Sequence, residues 1–142
     1  MKGWQRTTVV IMILGVLVFY SAHSNAASKD VYQNVFIEVL EMGSATYLKI
    51  NAHGKTAADI DKKLTELYHA NGLQPFWIKD DKPGPRGADI LAVLQGAESH
   101  GLDPADYFID KIQRYWDSSD TAGLVRLDIL LTLGMMRYVV TI

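Results

Sequence analysis

Cysteine is absent from all 142 residues of this chain. That absence excludes disulfides, thiolate metal sites and thiol nucleophiles together, so a packed core must supply the stability. An excess of positive charge is also missing, since 14 Lys and Arg stand against 16 Asp and Glu for a net charge of −2. A phosphate backbone demands a basic face, which removes nucleic acid from the expected partners. Glycine-rich phosphate loops, internal repeats and a Ser-His-Asp spacing are missing as well.

What is present begins with an export signal. Lys2 and Arg6 precede an apolar run over residues 9–20, and small residues follow from Ser21 to Ala27. This three-part layout is that of a secretory signal peptide, with cleavage expected after Ala26. The apolar run falls short of the ~20 residues that span a bilayer, so membrane contact is expected only through the signal. With no cysteine near the cut, lipoprotein anchoring is excluded. Cleavage removes two positive charges and no negative one, which leaves 116 residues with a net charge of −4. That length suits one small domain.

Residues 27–57 read as an N-terminal β-like segment or linker. Residues 35–40 and 46–50 are rich in β-branched and aromatic side chains, with Gly43 and Ser44 between them. This is a hairpin pattern, although residues 39–42 equally extend as helix. Residues 58–142 read as a helical domain. Its first helix starts at Thr56, with Thr56 and Asp59 as a capping pair and Ile60, Leu64, Leu67 and Tyr68 on one face. Asn71-Gly72 ends it. An extended aromatic stretch follows, where Pro75 holds Gln74 out of helical conformation. Residues 79–87 form a turn-rich loop. The second helix, residues 88–99, buries Ile90, Leu91, Leu94 and Ala97.

The next stretch is a helix–helix corner. Gly101 supplies the left-handed residue that stops one helix. Leu102 staples the corner, Asp103 caps the next helix, Pro104 occupies its first position and Asp106 faces the helix dipole. The third helix carries Tyr107, Phe108, Ile112, Tyr115 and Trp116. Residues 117–120 break it and cap a fourth helix from Thr121, which is apolar on most faces and must therefore be covered. Arg126, Asp128 and Arg137 interrupt that run, so it is not expected to span a membrane. Leu131, Met135 and Val139 are expected to lack a covering layer, and the abrupt apolar end at Ile142 reads as a chain that continues. The fold class is mainly α: four helices preceded by a short β-hairpin-like segment and a signal peptide.

Few residues invite a chemical role. His53, His69 and His100 lack the short spacings of a metal site, and His100 suits the end of a helix. Asp103 and Asp106 resemble a carboxylate pair, but capping explains both. Asp80 and Asp81 lack the alternating ligands of a calcium loop. Asp128 sits in an apolar helix one turn before Thr132 and needs a partner there, from Arg126, Arg137 or a backbone amide. Trp77, Trp116, Tyr68, Tyr107 and Tyr115 could line a glycan groove, but at helical spacing they read first as core. No catalytic, cofactor-binding or metal-ligating residue is assigned.

Four pieces taken in order resemble one family. They are Leu67-Tyr68 with Gln74-Pro75-Phe76-Trp77, the stretch from Ala97 to Tyr107, the stretch from Arg126 to Thr132, and Met136-Arg137-Tyr138. Together they resemble the N-terminal scaffold domain of large exported bacterial L,D-transpeptidases, the murein cross-linking enzymes. The resemblance covers residues 60–142. It implies a periplasmic location and a non-catalytic role in cell-wall cross-linking, with a downstream catalytic domain as partner and peptidoglycan as a further one. The family's catalytic domain uses a cysteine beside a histidine and glycine. Here His100-Gly101 is followed by Leu102-Asp103, so no catalytic residue carries over and the chain is expected to be inactive as it stands. The other reading is a free-standing envelope module that binds peptidoglycan or a partner protein.

Overall fold

A computed structural model describes residues 28–44 and 54–141 of the chain. The expected signal peptide, the expected second strand at residues 46–50 and His53 lie outside the described residues. The chain divides into two compact units, Met1–Val31 and Tyr32–Ile142. In the first, only residues 28–31 are described, and they are helical. All that follows concerns the second unit.

Residues 32–42 form helix α1. The expectation of a strand at residues 35–40 is therefore corrected. The β-branched content suggested a sheet, but Tyr32, Phe36 and Val39 recur at i, i+4 and i+7 and are the side chains buried on this helix. Spacing decided the conformation over propensity, because it lets one helical face reach the core.

Helix α2 spans Gly54–Ala70. Leu64 and Tyr68 are fully buried one turn apart, while Leu67 keeps more than a third of its surface exposed. The Phe36 and Tyr68 rings stack at 4.5 Å and join α1 to α2. The helix stops at Asn71-Gly72 as expected, with Gly72 at φ 66° and the Leu73 amide donating to the Tyr68 carbonyl at 2.8 Å.

After an extended passage comes the one β-pairing among the described residues. Strand β1, Ile78–Lys79, runs antiparallel to β2, Lys82–Pro83, in the register Ile78 to Pro83 and Lys79 to Lys82. Asp80 and Asp81 make its two-residue turn with φ near 53° and 55°. Positive φ at both central residues matches the twist of a tight hairpin, and aspartate tolerates it better than most side chains. The hairpin thus lies within the stretch expected to be only loop, and not in the N-terminal segment.

Helix α3, Pro85–Gln95, starts earlier than expected, because Pro85 takes the first helical position and lacks only an amide the helix would not have used. It tightens into a 3₁₀ turn, Gly96–His100, which Gly101 ends at φ 74°. Asp103 then caps as expected, accepting from the Ala105 amide at 2.9 Å. What it caps is a second 3₁₀ turn, Pro104–Tyr107, and not the next helix. Phe108, at φ 64°, separates that turn from α4, Ile109–Tyr115. Tyr107 and Phe108 therefore precede the third helix. Asp106 lies in the first turn, as expected, and its carboxylate is 3.7 Å from the Arg137 guanidinium, a half-exposed pair that contributes little.

Helix α5, Thr121–Thr141, is the axis of the fold. Asp120 caps it by accepting from the Gly123 amide at 3.1 Å. From Gly123 to Gly134 every residue except Arg126 is buried. Helices α3 and α4 and the second 3₁₀ turn all pack on it. Leu124, Leu127, Leu130, Leu131 and Ile129 are at or near zero exposure, each worth about 1.5–3 kcal/mol of burial. Leu131 is thus covered, against expectation. Exposure begins one turn later, with Met135 at 37%, Val139 at 58% and Val140 at 87%.

Gly134 allows the closest approach in this core. A Cβ there would lie 2.7 Å from Leu94 Cδ1 and 3.0 Å from the Tyr107 carbonyl oxygen, and that backbone oxygen cannot move aside. Gly134→Ala should therefore lower stability by about 1–2 kcal/mol, because overpacking outweighs alanine's helix preference of ~1 kcal/mol. Thermal melting checks this, and a variant melting at or above the parent temperature would contradict the close approach.

Candidate functional site

The most chemically distinctive place in the chain is inside it. Asp128, at 0% exposure, is the only charged residue among the buried ones described. It lies on the apolar axis α5, so its carboxylate has to find donors without leaving the core. Three elements supply them. The Tyr68 hydroxyl, from α2, donates to Oδ1 at 2.7 Å. The Phe76 amide donates to the same oxygen at 3.1 Å, and the Trp77 amide donates to Oδ2 at 2.8 Å. The Ile78 amide lies near enough to favour the charged carboxylate as well.

The extended conformation of residues 74–78 makes this possible. Pro75 blocks helix, so the following amides have no helical carbonyl to serve and no sheet neighbour before the hairpin. They turn inward to the one acceptor available. Thr132, one turn after Asp128, completes the network. Its Oγ1 accepts from the Trp77 indole Nε1 at 2.9 Å and contacts the Tyr68 hydroxyl at 2.9 Å and the Asp128 carbonyl at 3.0 Å. Because Tyr68 gives its proton to Asp128, Thr132 is the donor in one of those last two contacts.

Burial is the largest influence on the Asp128 carboxyl and pushes it up to about 6 from 3.8, against the pull of the bonds from Trp77, Tyr68, Phe76 and Ile78. Tyr68 is pushed well above the usual phenol range, first by burial and then by the Asp128 charge. A carboxyl near 6 lies in the range used by general acids, but this one is wholly buried and its hydrogen bonds go to structural groups. A carboxylate has room for roughly four donors, and three hydrogen bonds from Tyr68, Phe76 and Trp77 hold this one, leaving a site for the proton it carries below about pH 6. Among the described residues no buried side-chain nitrogen or oxygen lacks a partner.

The other candidate residues do not converge. Arg126 lies over the Tyr115 ring at 5.6 Å, and Arg137 over Phe108 at 5.9 Å, so the backbone-amide expectation for Asp128 holds and the arginine ones do not. Asp103 and Asp106 serve the capped turn and Arg137 respectively. Asp80 is exposed at the hairpin tip, and Asp81 accepts from the Tyr32 hydroxyl at 3.0 Å. His69 is exposed at the end of α2. His100 ends the first 3₁₀ turn with its ring edge-on to Tyr138 at 6.5 Å. Among the described residues no group of three His, Cys, Asp or Glu is placed to hold a metal ion. The aromatics belong to the core: Tyr68 and Tyr107 are buried, and Trp77, Tyr115 and Trp116 pack against it.

The roles of Tyr68 and of the backbone amides were not legible in sequence. The available signals were the acidic residue in an apolar helix, Thr132 one turn on, and a proline that frees the amides after it.

Asp128→Ala should destabilise the fold by about 3–5 kcal/mol, since the amides and Tyr68 lose their acceptor inside the core. Chemical denaturation measures it, and a variant as stable as the parent would contradict the network. The pH dependence has a definite sign. Folded Asp128 holds its proton to about pH 6 while the unfolded chain releases it near 3.8. Its stabilising contribution is therefore complete below about pH 4 and is lost as pH rises through 6. The stability gap between the parent and Asp128→Asn should shrink by up to about 3 kcal/mol from pH 4 to 7. Parallel denaturation curves at the two pH values check it.

Comparison with known proteins adds one finding. A family model described as Scaffold domain matches residues 62–142. No curated protein and no solved structure matches the chain.

Proposed function

The chain belongs to the Scaffold domain family, a membership that supports a non-catalytic scaffold role, and from it we propose that this is the supporting region of an exported L,D-transpeptidase-like protein of peptidoglycan cross-linking. The observation that carries the non-catalytic part is the structural use of the buried network. Among the described residues the one carboxylate pushed well away from its usual range is wholly buried and held by Tyr68 and by backbone amides.

The supporting part draws on the surface at the end of α5. Met135, Val139 and Val140 leave apolar area in contact with solvent on the side of α5 away from the second 3₁₀ turn, which packs through Tyr107 on the buried Tyr138. A strip of that kind suits packing against a neighbouring domain. In this reading that neighbour is the catalytic domain, which carries the thiolate this chain lacks, and export places both in the periplasm.

The test begins with the coding frame beyond Ile142, which should continue into a domain with a cysteine beside histidine and glycine. In that longer protein, Val139→Lys together with Val140→Lys should cut cross-linking activity at least severalfold without changing the melting of the helical domain. A stop codon at that point, with an expressed short protein that co-sediments with murein sacculi, would overturn the reading in favour of a free-standing wall-binding module.

A further inference from the structure

Residues 73–83 cross from α2 to α3 over the buried carboxylate, and they are attached differently from the rest of the core. Four non-glycine residues among those described have positive φ, and three lie in this stretch: Leu73 at 56°, Asp80 at 53° and Asp81 at 55°. The two aspartates suit a hairpin turn, but leucine is seldom left-handed and stays so only where its surroundings impose it. Here the Leu73 amide is fixed to the Tyr68 carbonyl at 2.8 Å, and Asn71 Nδ2 donates to the Gln74 carbonyl at 2.8 Å.

In its middle the stretch is held by partial apolar packing, with the Phe76 ring 5.2 Å from Tyr68, by a bond from the Gly84 amide to the Trp77 carbonyl, and by polar bonds to α5. The Phe76 and Trp77 amides serve Asp128, with the Ile78 amide near it, and the Trp77 indole serves Thr132. The side chains of Phe76, Trp77 and Ile78 are only partly buried, whereas the α5 residues beneath are almost wholly so. A segment with a strained end, little full apolar burial and bonds concentrated on one acceptor belongs to the low-stability end of a fold.

We infer that residues 73–83 are a proton-linked strap, which lifts from the core as a unit while the helices remain folded, and does so more readily at neutral than at acidic pH, with Asp128 as its latch. With the strap down, Asp128 is shut away from water. Lifting it hydrates the carboxylate, which favours the charged form more than the loss of the amide bonds disfavours it, because burial is the largest influence on this group. A proton on Asp128 is therefore held more tightly in the closed state, and acid keeps the strap closed. The upward displacement of the Asp128 carboxyl to about 6 agrees with this direction.

The groups around the latch fix what else can titrate. From α2 it meets Tyr68, from its own helix Thr132, and from the strap only amides. Tyr32 of α1 feels its charge while bonding to Asp81. Lys79, Asp80, Asp81 and Lys82 are exposed on the hairpin. Both tyrosines are pushed above the ordinary phenol value, first by burial, and stay neutral below pH 8. Opening would present Asp128, Tyr68 and Thr132 to solvent.

Native-state hydrogen exchange on the full chain, from pH 5 to 7 and corrected for intrinsic rates, tests the inference. The Phe76, Trp77 and Ile78 amides should be less protected than the Leu130 amide, with a weaker dependence on added denaturant. Their protection should fall roughly tenfold from pH 5 to 7, as proton linkage between a pKa near 4 and one near 6 requires. Asp128→Asn should flatten that trend; if this variant does not fold, the pH series on the parent still decides. Strap amides as protected as Leu130 at every pH would overturn the independent release. Protection that is flat or rises with pH would overturn the latch.

Discussion

A carboxylate placed on an apolar helix has to be answered from outside that helix, and the way Asp128 is answered shapes the rest of this structure. Its donors come from α2 and from the extended passage before the hairpin, while Thr132 gathers the Trp77 indole beside it. One acceptor therefore fixes where α2 lies against α5 and how the chain travels between them. Apolar packing is tolerant of small slides; a set of hydrogen bonds to a buried charge is not. The network sets the register of the fold, and the aromatic stack of Phe36 on Tyr68 carries that register on to α1.

Around this node the packing depends on small residues at points of closest approach. Gly134 lets the Tyr107 carbonyl and Leu94 sit directly on α5, and Gly87 lets the start of α3 lie against the Trp77 backbone. Helix α5 can be apolar on nearly every side because α3, α4 and the second 3₁₀ turn each take part of its surface. Near its C-terminal end, on the side those neighbours leave bare, Met135, Val139 and Val140 come into the open. The same helix is thus a core element along most of its length and carries an exposed apolar side at its end.

The functional reading follows from how the polar groups are used. In an active site some strong group is left partly unanswered and aimed at a space where a substrate fits. Asp128 is turned to structural donors, and the other candidate aspartates and histidines among the described residues serve a capped turn, a hairpin, an ion pair and exposed helix ends. Belonging to the Scaffold domain family agrees with that distribution. Asp128, the one buried charge among the described residues, is used for structure.

Much of the helical order could be read from residues alone, because it rests on local chemistry. Gly72 and Gly101 supply left-handed stops, Asp103 and Asp120 cap through their own side chains, and Pro75 forces extension, whatever lies nearby. The apolar run of α5 likewise demanded cover. The conformation of residues 35–40 was open to misreading, since β-branched content and an i, i+4, i+7 face pointed in different directions and only a partner for Phe36 could decide. Tertiary structure alone chose amides over arginines for Asp128, because those amides lie some fifty residues away and converge only after the chain has turned back on itself. It also decided that Leu131 is covered while Val139 is not, since which side of a long apolar helix meets a neighbour at each turn depends on where the other elements lie. Local rules determined the elements; the buried charge and the position of each covering segment determined how they meet.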